Sequence, residues 1–295
     1  MFKNMSLRKR FTTIMIIIYA ISLPLIIGAS YLVLRENAKK QILEESNLML
    51  AAMEGARGYT AEVLRPALQK VLPDKFIIEG MSATKVAYGI QERVRKKLPR
   101  YSFKEATESP LNPVNKADAF ELGKINEFRR GIFKDEWRGY KKSSEGEYYV
   151  IMRPVKVKPD CLRCHGDPAF APPEQRERYG DTEEGYNWKI DDIVTVNTVY
   201  VPTEEAKKSA IRALLTFAGI YSGIFLIIII VIDRIIISNI IKPLEHFVAT
   251  ATEVSRGNLG KQFKVKTNDE MKLLADAFER MKMSLMKAMD ILKKK

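Results

Sequence analysis

Cysteine, histidine and tryptophan are nearly missing from this chain: two of each occur in 295 residues. Two cysteines cannot staple a small secreted scaffold, which depends on several bridges. Two histidines exclude a histidine-rich metal centre. Charge is missing from two long stretches. No residue from Phe11 to Leu34 is charged, a run of 24, and none from Ala213 to Ile232, a run of 20. A helix needs about 20 apolar residues to cross a bilayer core, so both runs qualify. The first is too long for the apolar core of a signal peptide, and its Pro24 is tolerable in a membrane helix. It is read as an uncleaved anchor, with Gly28-Ala29-Ser30 as the alternative point of cleavage.

The net charge is +13, which would suit nucleic acid if it were gathered on one surface. It is not. Lys3, Arg8, Lys9 and Arg10 precede the first apolar run with no acid, giving +4, and residues 233–295 carry +5. Residues 35–212 carry +4 spread over 178 positions. Dense positive flanks face the cytoplasm. The charge therefore predicts both termini inside, the segment 35–212 outside, a membrane as partner and no nucleic acid.

What the chain does have is concentrated. Both cysteines lie in Cys161-Leu162-Arg163-Cys164-His165, followed by Gly166-Asp167-Pro168. This is the C-x-x-C-H pattern of c-type haem attachment. Two thiols three positions apart add across the two vinyl groups of one porphyrin, and the next histidine offers a neutral imidazole nitrogen to iron. Cys161 and Cys164 are the expected thioethers of one covalent haem c, and His165 the expected axial ligand. A redox dithiol is an alternative, but it needs no histidine there. Zinc is another, but it wants four ligands and the motif supplies three. Haem c is attached on the outer side of bacterial membranes, which agrees with the topology read from charge.

The sixth iron position has few claimants. His246 lies beyond the second apolar run, and both thiols are used. Methionine, lysine, tyrosine, water or an open site remain. Methionine is the usual soft partner of histidine, and Met49, Met53, Met81 and Met152 lie in the outer segment. Met53 is the expected ligand and Met81 the next choice, although methionine also fills core gaps for no other reason.

Periodicity gives an α+β layout. Ile42, Ser46, Met49 and Met53 lie on one face of a helix over 35–60, whose end Gly55 and Gly58 weaken. A second helix spans Ala83 to Leu98 before Pro99. Residues 101–118 are expected to be irregular because of Pro110 and Pro113. A helix returns from Glu121 to Phe133. Tyr148 to Met152 reads as a strand that Val155 and Val157 extend, Ala171-Pro172-Pro173 begins a short helix through Arg178, and Ile193 to Val201 is the clearest strand. Pro202 ends it, and Thr203 is placed to cap the next helix.

Four segments carry a family resemblance: Tyr101 to Thr107, Leu111 to Asn115, Cys161 to Pro168, and Gly185 to Trp188. With them, the stretch from about Met53 to Pro202 resembles a family of periplasmic c-type haem sensor domains. The resemblance implies a PAS-like fold, one haem, and a role as the input of chemoreceptors and histidine kinases. Further on, Ile240, Leu244, Phe247, Ala251 and Val254 step by three and four. So do Met271, Leu274, Phe278, Met281, Leu285, Ala288 and Leu292. These are two coiled-coil seams. With Gly257-Asn258-Leu259 and Asp269-Glu270 between them they resemble a HAMP domain, despite Lys272 where a glycine is common. That implies a parallel four-helix bundle in a homodimer.

The expected organisation is a cytoplasmic N-terminus (1–10), a first span (11–34), an outer PAS-like haem domain (35–212), a second span (213–236) and a cytoplasmic HAMP domain (237–292). The chain stops just past the second seam, so the output is expected from a separate partner such as a histidine kinase or chemoreceptor. The reading is an inner-membrane sensor of redox state or a small diatomic ligand, and not an enzyme. The alternative is a membrane-anchored electron-transfer cytochrome, for which a cytoplasmic seam pair has no use.

Overall fold

A computed structural model describes residues 5–180, 182–265 and 268–293; Lys3 and the side chain of Leu292, used above, lie outside the described residues. The chain divides into two compact units, one of Leu32–Ala213 and one of Met1–Tyr31 with Leu214–Lys295.

Helix α1 runs from Leu7 to Tyr59. It passes through Gly55 and Gly58, which the sequence reading took as a weak end. Packing overrides their poor propensity: Leu50 and Met53 are buried, and Arg57 forms an ion pair with Glu105. A π-helical turn, Thr60–Leu64, leads into α2 (Arg65–Val71). The short α3 (Ile78–Met81) precedes α4 (Ala83–Lys97), which Ser82 caps by accepting from the Lys85 backbone N–H. Basic residues in its last turn suit the helix dipole.

The sheet has the order β1-β4-β3-β2, with every neighbouring pair antiparallel. Its strands are β1 (Ser102–Thr107), β2 (Trp137–Ser143), β3 (Gly146–Lys156) and β4 (Ile193–Pro202). Two departures from the sequence reading stand out. Residues 102–107, expected to be irregular, form edge strand β1, with Phe103 opposite Val199 and Glu105 opposite Asn197. Strand β2 was not expected at all. Both are edges, and edge strands carry the lysines and arginines that discourage pairing with other chains. Those charges hide the alternation by which strands are recognised.

Each face of the sheet has its own core. Phe103, Ile151, Val199 and Val201 pack with Ile42, Leu50 and Met53 of α1 and Ala87 of α4. Ala106, Val150, Met152 and Val196 pack with Ile125 and Phe128 of α5 (Ala119–Arg129), which opens on a capping box between Asp118 and Glu121. Truncating a fully buried member such as Leu50 or Ile151 to alanine should cost about 2–5 kcal/mol.

Between β3 and β4 the chain leaves the sheet. The neck of this excursion is closed by two backbone bonds of 3.0 Å, Val157 N–H to Asp192 O and Asp191 N–H to Val157 O. It carries α6 (Leu162–His165) and α7 (Pro173–Tyr179), and with them the cysteine motif.

In the other unit, α1 lies beside α8 (Glu204–Ile236). Both are long and apolar enough to cross a membrane. Tyr19 and Ser222 are hydrogen-bonded at 2.7 Å, and Ser22 and Tyr221 at 2.5 Å. A π-helical turn (Ile237–Ile241) joins α8 to α9 (Lys242–Ser255), and α10 (Glu270–Lys293) follows. Phe247, Val254, Phe263 and Ala275 form a buried core, with Ala251, Met271, Leu274 and Phe278 against it. Seam residues Leu244, Met281 and Leu285 are exposed in the single chain.

Candidate haem-attachment site

The motif is built as a tight reversal. Pro159–Cys161 is a 3-10 turn and α6 a single helical turn. Gly166 ends it by donating to Leu162 O at 2.8 Å. A Cβ on Gly166 would lie 2.5 Å from that oxygen, so only glycine fits. Both thiols are free and half-buried. Cys161 Sγ accepts from the Lys158 N–H at 3.4 Å. Cys164 packs against the cluster of Phe76, Ile78 and Met81, and this burial pushes its thiol pKa up, against the nearby charges of Arg65 and Arg163.

His165 is held from two directions by the turn at 185–188. Its Nδ1 lies 2.6 Å from Gly185 O. Its ring is stacked on the indole of Trp188, with centroids 3.9 Å apart and planes 5° from parallel. The backbones interlock as well: Trp188 N–H donates to His165 O at 3.0 Å and Asn187 N–H to Gly166 O at 2.8 Å. Gly185 has φ +78°, and a Cβ there would meet Leu111 at 2.7 Å. Ser109 Oγ accepts its N–H at 3.3 Å. Thus the Leu111, Cys161–His165 and Gly185–Trp188 segments, far apart in sequence, meet here. Gln175 of α7 secures the other side by donating to Cys164 O at 2.7 Å.

The chemistry follows from this geometry. An imidazole whose Nδ1–H donates to a carbonyl presents the Nε2 lone pair outward, the tautomer a metal requires. Burial holds the His165 pKa below the ordinary histidine range; the Gly185 bond and Glu105 oppose that shift and Arg57 adds to it. The ring is therefore neutral at neutral pH, ready to ligate without losing a proton. Glu105, which is buried, and Arg57, which is half-buried, belong to a polar knot. Glu105 pairs with Arg57 and accepts from Thr84 Oγ1 at 2.7 Å.

Met53 is buried in the core between α1 and the sheet, whereas Met81 shares the cluster that includes Cys164. His246 is exposed on α9. Among the described residues no three His, Cys, Asp or Glu side chains gather as an ion site, so the zinc reading finds no ligand set. A haem needs only the two thiols and one oriented imidazole, and the residues present fit it. Arg57, Thr84 and Gln175 have no sequence signal, because charged and amide residues ordinarily read as surface, and Glu105 is marked only by its place in the segment Tyr101 to Thr107. Gly185 and Trp188 were marked only by family likeness.

Residues 35–202 match the Tll0287-like family and residues 235–287 match the HAMP domain. That pair of domains is the arrangement of a signal-transducing sensor. The chain belongs to the Tll0287-like family, whose match covers more than half of it. One similar solved structure is titled as the crystal structure of the cyanobacterial heme-protein Tll0287. It shares 15% identity with a TM-score of 0.43, and the alignment covers 54% of this chain and 94% of that one. No curated protein matches the chain.

Proposed function

We propose that this protein is a membrane-anchored, homodimeric c-type haem sensor. It would report redox state or a small diatomic ligand from outside the cytoplasm, through its HAMP domain, to a separate partner of the histidine-kinase or chemoreceptor kind. The observation that carries the reading is the C-x-x-C-H turn with its histidine pinned through Nδ1 to Gly185 O. Cys161 and Cys164 would hold the haem as thioethers, His165 would ligate through Nε2, and Met53 is proposed for the sixth position. The group would supply a redox-active iron whose sixth position can exchange ligands.

The chain's own part is positional. Gly185 keeps the proton on Nδ1, Trp188 fixes the ring plane, and the apolar cluster around Cys164 limits water. Arg57 feels the charge at His165 and lies on the helix that continues into the first apolar run. A charge change at the site thus has a mechanical outlet into the first span, of the small-shift kind that packed helices transmit. The Arg8–Asp233 pair supports both ends of the two spans lying on one side. With the positive flanks, this favours a cytoplasmic N-terminus and HAMP domain, spans at 11–34 and 213–236, and a periplasmic 35–212.

Covalent haem is tested by peroxidase stain on a denaturing gel. Cys161→Ser with Cys164→Ser should abolish the stain, and undiminished stain would sink the reading. Cysteines placed at the exposed Ser144 and Ser284 test the topology: external reagent should label the first and spare the second.

A further inference from the structure

The two uncharged runs end at the same level. Arg8 lies just before the first run and Asp233 just after the second, and they meet: Arg8 Nε and Nη2 donate to the two Asp233 oxygens at 2.8 and 2.9 Å. Beside the pair lies an open cavity of about 590 Å³, lined by Arg8, Asp233, Arg234, Ser238 and Lys242, with Ile235 and Ile237 as apolar wall. Arg234, Ser238 and Lys242 follow each other at steps of four through the π-helical turn Ile237–Ile241, so one helix face carries two cations and a hydroxyl. Such turns frequently accompany functional sites.

The charge balance decides what the recess is for. Arg8 is neutralised by Asp233. Among the described residues Arg234 and Lys242 make no ion pair. The recess therefore offers two uncompensated cations beside apolar side chains, at the depth where the hydrocarbon should end; the Ser238 hydroxyl there donates to Asn239 Oδ1 at 2.9 Å. A guanidinium and an ammonium are the usual partners of phosphate oxygens, and basic pockets at the cytoplasmic ends of membrane helices suit anionic headgroups.

We propose that this recess binds a phosphate group, supplied by the headgroup of an anionic phospholipid whose acyl chains lie along Ile235 and Ile237. Its position at the junction of α8 and α9 would make lipid composition an input to the HAMP domain. The inference rests on the proposal that α1 and α8 span a membrane.

The test uses the full chain extracted in mild detergent, with native mass spectrometry in an equimolar mixture of phosphatidylglycerol and phosphatidylcholine. Wild type should retain phosphatidylglycerol preferentially. Arg234→Gln or Lys242→Gln should each weaken that retention about fivefold, and the double variant about thirtyfold, at the usual strength of one basic residue near an anionic surface. Lys287→Gln removes the same charge from α10 and should change nothing. Both recess cations are exposed, so the fold is expected to survive their loss. Excess inorganic phosphate separates the sources. If it displaces the lipid and binds wild type but not the double variant, the phosphate site stands with the free ion as its ligand. Equal retention of the two lipids, or retention indifferent to the double variant, overturns the proposal. Alkaline carbonate extraction tests the underlying reading separately: release from the membrane pellet would refute the spans, whereas an integral protein without lipid preference would refute the recess alone.

Discussion

His165 lies flat on Trp188, the two rings 3.9 Å apart and 5° from parallel. With Nδ1 tied to Gly185, the stack removes the imidazole's last freedom, rotation of its plane. Trp188→Leu should keep covalent haem but release that plane. The low-temperature paramagnetic resonance of the oxidised protein should broaden or shift its g values. Unchanged g values would mean that the indole only fills space.

Met53 and Met81 make opposing claims on the sixth position. Met53 is the proposed ligand, and Met81 shares a cluster with Cys164. The weak far-red sulfur-to-iron band of the oxidised protein tells them apart. It should vanish in Met53→Ala and persist in Met81→Ala; the reverse result would transfer the ligand to Met81. If wild type has no such band and its reduced form takes up carbon monoxide at once, neither methionine ligates.

Glu105 is buried and pairs with Arg57, and both charges reach His165. Glu105→Gln leaves the half-buried Arg57 guanidinium without its ion-pair partner and should lower the melting temperature. It also adds net positive charge near the proposed iron, so the midpoint potential should rise. Arg57→Met, leaving the carboxylate, should lower it. Shifts of one sign in both variants would argue against an electrostatic origin.

Stability should depend on acid through Glu136. Burial alone would raise its pKa, but hydrogen bonds from Arg138 and Arg153 outweigh that and hold it below 4.5. A carboxylate depressed in the folded state stabilises above its unfolded pKa, and that contribution fades as pH falls through the folded value. The melting temperature should therefore drop between roughly pH 5 and pH 3. Glu136→Gln should start lower at neutral pH and fall less steeply, as thermal melts across that range would show. An identical slope in the variant would remove Glu136 from the account.

Phe278 packs against Phe247 and Phe263 at centroid distances of 6.2 and 5.2 Å, while Leu244, Met281 and Leu285 stay exposed. In the proposed homodimer those exposed seam residues meet their copies in a four-helix core. Phe278→Glu should abolish cross-linking between protomers in membranes, and a wild type that never cross-links would count against the dimer.

How much of this was legible beforehand depends on where each residue's partner lies. The motif, the two apolar runs, the stop of α4 before Pro99 and the run Ile193 to Val201 announce themselves locally, through spacing, composition and neighbours. Strand β1 does not. Its Lys104 and Glu105 look like surface until Glu121 and Arg57 arrive from elsewhere in the chain to neutralise them. Strand β2, Trp137–Ser143, hides behind edge charges in the same way. The polar knot of Arg57, Thr84 and the buried Glu105 is assembled from three elements, so no window of sequence contains it. Gly55 and Gly58 misled for the opposite reason: their local weakness is real, but tertiary contacts on α1 outweigh it.

The excursion between β3 and β4 is closed at its neck by the Val157 and Asp191–Asp192 backbone bonds, and the strands pair without a break up to it except for one register shift at Val155/Lys156. The sheet therefore owes nothing to the residues that would carry the cofactor. A scaffold of this kind can be completed first and furnished later. The stretch 158–190 and the sheet are thus separable in their backbone hydrogen bonding at the neck.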